Sequence, residues 1–196
     1  MLYIIEMKEA DMEKVRCDWA NGSELDQQYH DEEWGYPVHD DQKLFEFLIL
    51  ESMQAGLSWA TILKKRESLT EAYDQFDYKK IAKYTEEKKE KLLQDPGVIR
   101  NKLKVAAAIV NANCFMEIQK EFGSFDQYIW SFVDHQPIVN HWQELADVPA
   151  STELSDQISK DLKKRGFKFL GTTTVYAFMQ ATGMVDDHLL HCFRRA

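Results

Sequence analysis

Apolar side chains recur at intervals of three and four residues along most of this chain. In residues 41–57, Leu44, Phe45, Leu48 and Ile49 fall on one helical face, which predicts an amphipathic helix. Few glycines and prolines interrupt the chain, and the same spacing recurs between them. It predicts further helices over residues 58–73, 85–93, 101–122, 126–133, 155–165 and, beginning at 170 or 172, up to 182.

Two details of these helices can be read from the residues themselves. Within 101–122, the repeating apolar positions Leu103, Ala106, Ala107 and Val110 form one face. Gly183 follows the last apolar helix, and glycine commonly occupies the position just after a helix C-terminus. We therefore expect that helix to end before Gly183.

Alternation of apolar and polar residues, the pattern of a half-buried strand, is nearly absent. The short runs 2–5 and 167–170 are the two β-like segments. The chain is therefore predicted to be all-α, with a single domain over 12–196 and an N-terminal extension over 1–11. Residues 135–151 form the one stretch that resembles a linker.

The composition is that of an ordinary globular protein, with 44% hydrophobic and 29% charged residues in a chain of 196. No apolar run approaches the roughly 18 residues that span a bilayer, and the first residues do not form a secretory signal. We therefore expect a cytoplasmic protein with no membrane partner, and a monomer by default.

The formal net charge of −9 mildly disfavours a nucleic-acid partner, because phosphate contacts need Lys and Arg. Net charge is an average, however, and a basic stripe can coexist with an acidic body. Local basic clusters lie at 64–66, 100–104 and 163–165. Taken alone, each cluster fits a solvated helix face better than a DNA footprint.

Cysteine and histidine residues form two half-sites at opposite ends of the chain. Cys17 precedes His30, and His188 lies four residues before Cys192, so on a helix the second pair would share one face. Two thiolates and two imidazoles make a closed tetrahedral zinc shell. From the spacing alone, zinc binding and simple burial both stay open. His191 is a rival to His188, but its adjacency to Cys192 puts it on a different face.

The segment 92–102 reads as a helix end, a Pro-Gly turn and a new helix that begins near Asn101. This is the outline of a helix-hairpin-helix over about 85–115, whose turn offers backbone N–H groups to a DNA phosphate. Gly97 would allow close approach of the phosphate; salt-dependent affinity would come from basic residues that follow it, namely Arg100, Lys102 and Lys104. An ordinary helical corner fits the same residues, and Ile99 stands where the usual second glycine would be.

Aromatic residues are dense in the first third of the chain, and they surround the segment that contains Glu51; they are Trp19, Tyr29, Trp34, Tyr36 and Trp59. An enzyme that acts on a base in duplex DNA must extrude the base and hold it by stacking and edge hydrogen bonds. Aromatic faces also attract a cationic methylated base. The competing interpretation is a set of core tryptophans beside a solvated glutamate.

Several long strings occur together in order, and through them the chain resembles the 3-methyladenine DNA glycosylase I family over residues 16–192. The strings are Arg16-Cys17-Asp18-Trp19, Tyr29-His30-Asp31-Glu32-Glu33-Trp34-Gly35, Leu50-Glu51-Ser52-Met53-Gln54-Ala55-Gly56-Leu57-Ser58-Trp59, Ile62-Leu63-Lys64-Lys65-Arg66, Trp130-Ser131-Phe132-Val133, Leu162-Lys163-Lys164-Arg165-Gly166-Phe167-Lys168-Phe169-Leu170-Gly171, Tyr176-Ala177-Phe178-Met179-Gln180-Ala181, and Asp187-His188 with Cys192.

The resemblance implies a helix-hairpin-helix glycosylase fold with one structural zinc ion per chain. That ion would join the segments of about 12–40 and 150–196 into a zinc-bearing subdomain. Its ligands, by resemblance, are Cys17, His30, His188 and Cys192.

The resemblance also implies a base-binding pocket and a DNA-facing surface. The pocket residues that match the family are Trp19, Tyr29, Glu51 and Trp59. The loop that carries Gln54, Gly56 and Leu57 would lie against the gap in the DNA, and the hairpin contacts would come from Gly97, Arg100 and Lys102.

The function that the resemblance implies is excision of N3-methyladenine from double-stranded DNA by hydrolysis of the N-glycosidic bond, which leaves an abasic site. Many helix-hairpin-helix glycosylases carry an aspartate in the helix after the hairpin, where it stabilises the developing sugar cation. In this chain that stretch has no aspartate before Asp126, and the 3-methyladenine family is similar in lacking it. A cationic base is already a good leaving group, so selection and positioning can supply most of the catalysis. Our hypothesis is that Glu51 reads the base edge without forming a covalent intermediate, and that lyase activity is absent.

Two other interpretations of the residues stay open at this point. One is a zinc-bearing protein that binds DNA damage in the same pocket without cleaving it. The other is a small helical protein–protein module with a structural zinc, which would bind neither damaged nor abasic DNA.

Overall fold

The computed structural model describes residues 14–195, and this part of the chain is mostly helical. The α-helices are α1 (Glu24–Glu32), α2 (Asp41–Gln54), α3 (Trp59–Ala72), α4 (Tyr78–Ile81), α5 (Glu86–Gln94), α6 (Lys102–Phe122), α7 (Phe125–Trp130), α8 (Glu153–Lys164) and α9 (Thr172–Ala181). The mostly helical class predicted from the apolar spacing is confirmed. The predicted extension over 1–11 lies outside the described residues.

The helices begin where the sequence supplies a side chain that can accept from a free backbone N–H. Asp40 accepts from the N–H of Lys43 at the start of α2, and Ser58 accepts from that of Thr61 at the start of α3. Asn101 accepts from two N–H groups at the start of α6. Such caps satisfy donors that have no partner within the helix. They fix the residue at which each helix begins, and therefore where the preceding loop ends.

Two helices were not predicted from the sequence, and the buried face predicted for the helix over 101–122 was largely wrong. Glu24–Glu32 and Tyr78–Ile81 are polar or short, so they carry little apolar periodicity. In α6, Leu103 is 68% and Val110 38% exposed. The buried face is offset around the helix: of the predicted positions it keeps Ala107, and it adds Val105, Ala108, Ala112 and Phe115. In an alanine-rich helix, several faces have similar apolar content, and the neighbouring helices decide which one is buried.

The strands of the described chain are β1 (Ile138–Val139) and β2 (Val185–Asp186), which pair in parallel. Residues 167–170, predicted as β-like, contain no strand; the other β-like prediction, 2–5, lies outside the described residues. The linker prediction for 135–151 was wrong, because this segment contributes β1 and packs against the body of the fold. A strand of two residues is too short for alternation to be visible.

The core lies around α2, which is buried on nearly all sides. From Leu44 to Met53, one residue alone, Glu46, is not buried. Phe45 packs edge-on against Phe115 of α6 at 5.1 Å between ring centroids, and Phe115 stacks on Phe125 of α7 at 4.2 Å. A helix enclosed in this way holds any polar group on its last turns inside the protein. Glu51 is such a group.

The sequence predicts that the basic cluster 64–66 is a solvated helix face, but Arg66 is not solvated. Its guanidinium forms a two-point contact with Glu33, at 2.6 and 2.7 Å, and donates to Glu46 at 2.6 and 2.9 Å. The side chain is 17% exposed. This ion cluster joins the end of α1 to α2 and α3, so the positive charge serves the fold.

The two ends of the described chain meet. The N–H of Phe193 donates to the carbonyl of Val15 at 2.8 Å, and that of Leu190 donates to the carbonyl of Trp142. The C-terminal segment therefore crosses both the N-terminal segment and the loop after β1. None of the described helices is long and apolar enough to cross a membrane.

Gly183 ends α9 as predicted, and its backbone has a φ of +69°. A Cβ there would lie 2.4 Å from the carbonyl carbon of Tyr36 and 2.5 Å from the nitrogen of Pro37. Gly183→Ala should therefore lower the free energy of unfolding by about 4 kcal/mol or more, because strain and backbone overlap add. Urea denaturation measures this effect.

Gly171 provides the matched control at the other end of α9. Its φ is −69°, and no atom lies within 4 Å of the Cβ that alanine would add. Gly171→Ala should change the free energy of unfolding by less than about 1 kcal/mol. Equal effects of the two substitutions would contradict the close approach at Gly183.

Candidate active site and metal centre

A cavity of about 390 Å³ opens between the N-terminal segment, the end of α2, the start of α3, α9 and the loop after β1. Its volume lies in the range of roughly 300–1,000 Å³ that is typical of small-molecule sites. Trp19, Tyr29, Glu51 and Trp59, which the resemblance assigned to a base pocket, all line it. The structure therefore brings together four residues that are up to 40 positions apart in the sequence.

Aromatic rings form one wall of the cavity. Trp19 meets Trp34 edge-on at 5.1 Å between ring centroids, and Tyr29 lies 5.1 Å from Trp59 in a tilted arrangement. The indole N–H of Trp59 is buried with no hydrogen-bond partner among the described residues. The rings hold one another at defined angles, so they form a rigid apolar wall against which a flat ring can stack.

Glu51 places a carboxyl group in this apolar setting. Its side chain is 4% exposed, and Oε2 is buried with no hydrogen-bond partner among the described residues. Burial raises the pKa of Glu51 to about 8, because a carboxylate loses its hydration there without gaining a partner. The pKa of Tyr29 is also raised, first by burial and then by the nearby Glu51.

Sequence reasoning missed a second wall, formed by α9 and the loop after β1. From α9 the cavity is lined by Thr173, Tyr176, Ala177 and Gln180, and from the loop by Leu145, Val148, Pro149 and Ala150. The loop had been interpreted as a linker. Its residues carry no chemical motif, so their role in the cavity could be seen only after folding. Trp34 and Leu189 also line the cavity.

Asp187 ties this second wall together. One carboxylate oxygen accepts from the side-chain amide of Asn140 and the indole of Trp142, both at 2.7 Å. The other accepts from the hydroxyl of Tyr176 at 2.7 Å and from Gln180 at 2.8 Å. Four donors satisfy the buried charge, and they fix α9, the loop and the C-terminal segment relative to one another.

The four residues predicted to bind zinc converge at one buried point. One potential ligand atom from each of Cys17, His30, His188 and Cys192 lies within 4.8 Å of the other three. Nδ1 of His188 is 3.6 Å from each sulfur, and Nε2 of His30 is 3.3 Å from Sγ of Cys192. Tetrahedral bonds of roughly 2.0–2.3 Å place ligand atoms about 3.3–3.8 Å apart. The donor set and the spacing both fit a zinc ion.

The contacts around this cluster fix both imidazoles. Nδ1 of His30 bonds to the carboxylate of Asp31 at 2.8 Å, and Nε2 of His188 bonds to the carbonyl of Trp34 at 3.3 Å. Each ring thus turns its other nitrogen toward the sulfurs, as in metal sites with an oriented imidazole. A hydrogen bond between the two sulfurs lowers the pKa of Cys192 and raises that of Cys17, so Cys192 is the thiolate of the pair; a bound metal would hold both sulfurs as thiolates.

The local structure near His188 differs from the expected helix. Residues 188–192 form an irregular turn followed by a short 3-10 segment, Phe193–Arg195. The turn nonetheless directs His188 and Cys192 to the same point. The rival His191 is 41% exposed and pairs with Asp18 at 3.6 Å, so it lies outside the cluster. Cys114, the third cysteine, is partly buried in α6 and lies outside the cluster.

Metal cluster and cavity share the same short segments of chain. Trp19 follows Cys17 by two residues, Tyr29 directly precedes His30, and Leu189 directly follows His188. The ring of Trp34 also lies edge-on to that of His188 at 4.7 Å. Any group that fixes the four ligands therefore fixes the aromatic wall as well.

The predicted hairpin forms the turn between α5 and α6, and it packs against α3. Lys65 donates to the carbonyl of Pro96 at 2.7 Å, and Ser68 donates to that of Gly97 at 2.8 Å. The N–H of Gly97 is taken by Asp95, and a Cβ on Gly97 would lie 3.0 Å from that of Ser68. Gly97 is thus required for close packing on α3. Its own N–H donates to Asp95, so it is not a free donor.

The other predicted DNA-contacting residues lie on the surface near this turn. Arg100 and Lys102 are exposed, and the backbone N–H groups of Ile99 and Arg100 have no partner among the described residues. Gly56 and Leu57 are exposed in the loop between α2 and α3, and Gln54 lines the mouth of the cavity. The loop that follows the C-terminus of α2 and the turn that precedes the N-terminus of α6 therefore lie close together, because these two helix ends meet.

Comparison with known proteins yields one consistent family. The methyladenine glycosylase family matches residues 19–195. A relative from Haemophilus influenzae, DNA-3-methyladenine glycosylase, is 52% identical over 178 residues, which cover 91% of this chain and 96% of that protein.

Solved structures agree with this match. The crystal structure of a 3-methyladenine DNA glycosylase I is similar with a TM-score of 0.90 and 48% identity, over 93% of this chain and 100% of that one. A variant of 3-methyladenine DNA glycosylase I in complex with 3-methyladenine is similar with a TM-score of 0.89 and 36% identity, over 92% and 97% of the two chains.

The buried Glu51 should make the folded protein less stable than its glutamine variant at neutral pH. Between pH 4.5 and the pKa of about 8 in the folded state, the unfolded chain carries the carboxylate while the folded chain must hold the acid. Each such pH unit costs up to about 1.4 kcal/mol of stability. Glu51→Gln should therefore raise the free energy of unfolding by about 3 kcal/mol at pH 7 and leave it nearly unchanged at pH 4.

Urea denaturation at the two pH values measures the difference. Glu46→Gln, on the same helix, serves as the control with the opposite sign, since Glu46 is paired with Arg66 and its loss should lower stability at pH 7. If Glu51→Gln were no more stable than the wild-type protein at pH 7, the carboxyl would have to be solvated or paired.

Proposed function

The chain belongs to the methyladenine glycosylase family, and from this membership we propose that it is a DNA repair glycosylase that excises N3-methyladenine from alkylated DNA. The reaction is hydrolysis of the N-glycosidic bond of a base flipped out of the duplex, and it leaves an abasic site. The protein acts as a monomer on double-stranded DNA and has a helix-hairpin-helix fold.

One observation carries this proposal, which is the unpartnered carboxyl of Glu51 inside an aromatic cavity. A purine methylated at N3 is a flat cation, so it stacks on the rings of Trp19, Tyr29 and Trp59 and is attracted by their faces. Its amino group supplies the hydrogen-bond donor that Oε2 of Glu51 lacks. Neutral adenine would offer the same edge but no charge to offset the buried carboxylate.

The chemistry needs little beyond this placement. When the N-glycosidic bond breaks, its electron pair passes to the cationic purine, which leaves as a neutral base, and water adds to the sugar carbon and loses a proton. A bound cationic base lowers the pKa of Glu51, so the carboxyl releases its proton to water in the complex. The carboxylate then stabilises the positive charge of base and sugar without bonding to carbon. Among the described residues, no lysine lines the cavity, which fits our proposal of a hydrolase without lyase activity.

Gln54 at the end of α2 and two residues of the loop that follows it, Gly56 and Leu57, meet the DNA beside the flipped base. Gly56 has a φ of +79°, and no atom lies within 4 Å of where its Cβ would be, so the loop projects freely. Leu57 is 39% exposed and is suited to fill an apolar gap in the base stack, as wedge side chains do. Gln54, at the mouth of the cavity, contacts the same gap.

The turn between α5 and α6 binds the DNA backbone as a helix-hairpin-helix. The free N–H groups of Ile99 and Arg100 and the N-terminus of the 21-residue α6 form a site for a phosphate. Gly97 shapes the turn, while Arg100 and Lys102 add contacts that weaken with salt.

One zinc ion per chain is held by Cys17, His30, His188 and Cys192. Four protein ligands leave no open position for water, so a bound ion supplies structural stability. By joining the two ends of the fold, these residues also keep the aromatic wall of the cavity in place.

The activity is tested by the release of free 3-methyladenine from methylated double-stranded DNA. The wild-type protein should release it and leave abasic sites, whereas Glu51→Gln should lower the rate at least about tenfold because the stabilising charge is lost. Glu117→Gln, an exposed carboxylate on α6, should not change the rate. Retention of every methylated base by the wild-type protein would leave only a damage-binding role.

The metal is tested by zinc analysis of the purified protein together with thermal unfolding. The wild-type protein should contain one zinc per chain, and Cys192→Ser should lose most of it together with about 3 kcal/mol or more of stability, because the binding free energy of a structural zinc contributes to folding. Cys114→Ser, outside the cluster, should keep its zinc. If Cys192→Ser kept full zinc content but lost turnover, the structural assignment would be wrong.

A further inference from the structure

Lys104, on the first turn of α6, holds its ammonium group inside the protein. The side chain is 6% exposed, and Nζ donates to the carbonyl of Met53 at 2.8 Å and to that of Ala55 at 2.6 Å. Among the described residues, no carboxylate lies within 4.0 Å of this ammonium. Lysine is seldom buried to this extent without an anionic partner, so its contacts need an explanation.

The two carbonyls belong to the C-terminal end of α2, which has the negative end of the helix dipole. The last carbonyls of a helix have no partner within it, and a cation near them is favoured. Burial lowers the pKa of Lys104, because the ammonium loses hydration there. Within its own helix Lys104 is placed unfavourably, because it lies in the first turn of α6, where the helix dipole is positive.

The lysine therefore joins two parts of the surface that faces DNA. Ala55, whose carbonyl it binds, begins the loop that continues through Gly56 and Leu57 into α3. Lys104 itself follows the hairpin turn by only a few residues. We call residues 54–58 the wedge loop and residues 95–101 the hairpin turn.

A second set of bonds closes the connection from the other side. The wedge loop leads into α3, and α3 holds the hairpin turn through Lys65 and Ser68, at 2.7 and 2.8 Å. The wedge loop is thus tied to the hairpin turn at both of its ends, through α3 at one end and through Lys104 at the other.

We propose that Lys104 is a positioning residue that holds the wedge loop in register with the hairpin turn, so that the two engage damaged DNA as one rigid surface. This inference rests on the proposed function. The hairpin turn fixes the protein on the DNA backbone, and a wedge tied to it enters the duplex at a fixed distance from the bound phosphate. Without the tie, the loop would have to be ordered on every encounter, and binding would be weaker.

Four variants separate this role from phosphate binding and from general stability. Lys104→Met keeps the length of the stem and removes the donor, and Lys104→Arg restores donors in the same place. Lys102→Met removes an exposed charge two residues away. Lys120→Met, at the exposed far end of α6, is the neutral control.

Three measurements are made on each full-length variant. The first is affinity for a duplex with an uncleavable abasic analogue as a function of salt. The second is the fluorescence of 2-aminopurine opposite that site, which reports unstacking by the wedge. The third is affinity for free 3-methyladenine, which uses the cavity and not the DNA surface.

Lys104→Met should bind the abasic duplex about tenfold more weakly and lose most of the 2-aminopurine signal. Its salt slope should equal that of the wild-type protein, and its affinity for free 3-methyladenine should stay within twofold. Lys104→Arg should recover most of the duplex affinity. Lys102→Met should instead reduce the salt slope by about 0.9, as expected when one phosphate contact is lost.

Any of three results would overturn the proposal. Lys104→Met could bind the duplex as the wild-type protein does, it could reduce the salt slope as a phosphate ligand would, or it could lose free 3-methyladenine together with DNA. If the wild-type protein itself bound neither free 3-methyladenine nor the abasic duplex, the proposed function would fail, and that failure is seen before any variant is measured.

Discussion

Burial of one carboxyl group without a partner is the constraint on which the rest of the structure depends. Glu51 is held in an apolar cavity by a helix that is enclosed on nearly all sides. This arrangement lowers the stability of the folded chain. It is tolerated because the surrounding rings and α2 are fixed by many other contacts. A cationic flat ligand satisfies both the charge and the unused acceptor, so the unfavourable burial becomes selectivity in the proposed reaction.

The walls of the cavity come from both ends of the chain, and the Cys/His cluster holds those ends together. Residues next to Cys17, His30 and His188 line the cavity, and Asp187 fixes the second wall through four hydrogen bonds. The proposed zinc site is therefore a structural site, with four protein ligands, that lies next to the cavity. Lys104 also joins two parts of the fold, since it links the end of α2 to α6 beside the proposed DNA-binding surface.

Much of the architecture could be predicted because local signals agree with the fold. The apolar spacing located most helices, polar caps such as Asp40 and Asn101 set their starts, and Gly183 marked an end. The predictions failed where the local signal was weak or ambiguous. The alanine-rich α6 offered several apolar faces, and Leu103 proved exposed. The loop with Leu145 and Val148 has no periodicity and was interpreted as a linker, although it forms a cavity wall.

By itself, the sequence determined the helical class, the four Cys and His residues and the aromatic residues around Glu51, because these follow from residue type and spacing. The tertiary structure alone decided that Glu51 has no hydrogen-bond partner among the described residues, that Asp187 joins three cavity-lining segments, and that Lys104 is buried against the carbonyls of another helix. Burial and hydrogen bonding between distant segments depend on which surfaces meet in three dimensions, and neither residue type nor spacing along the chain encodes that directly.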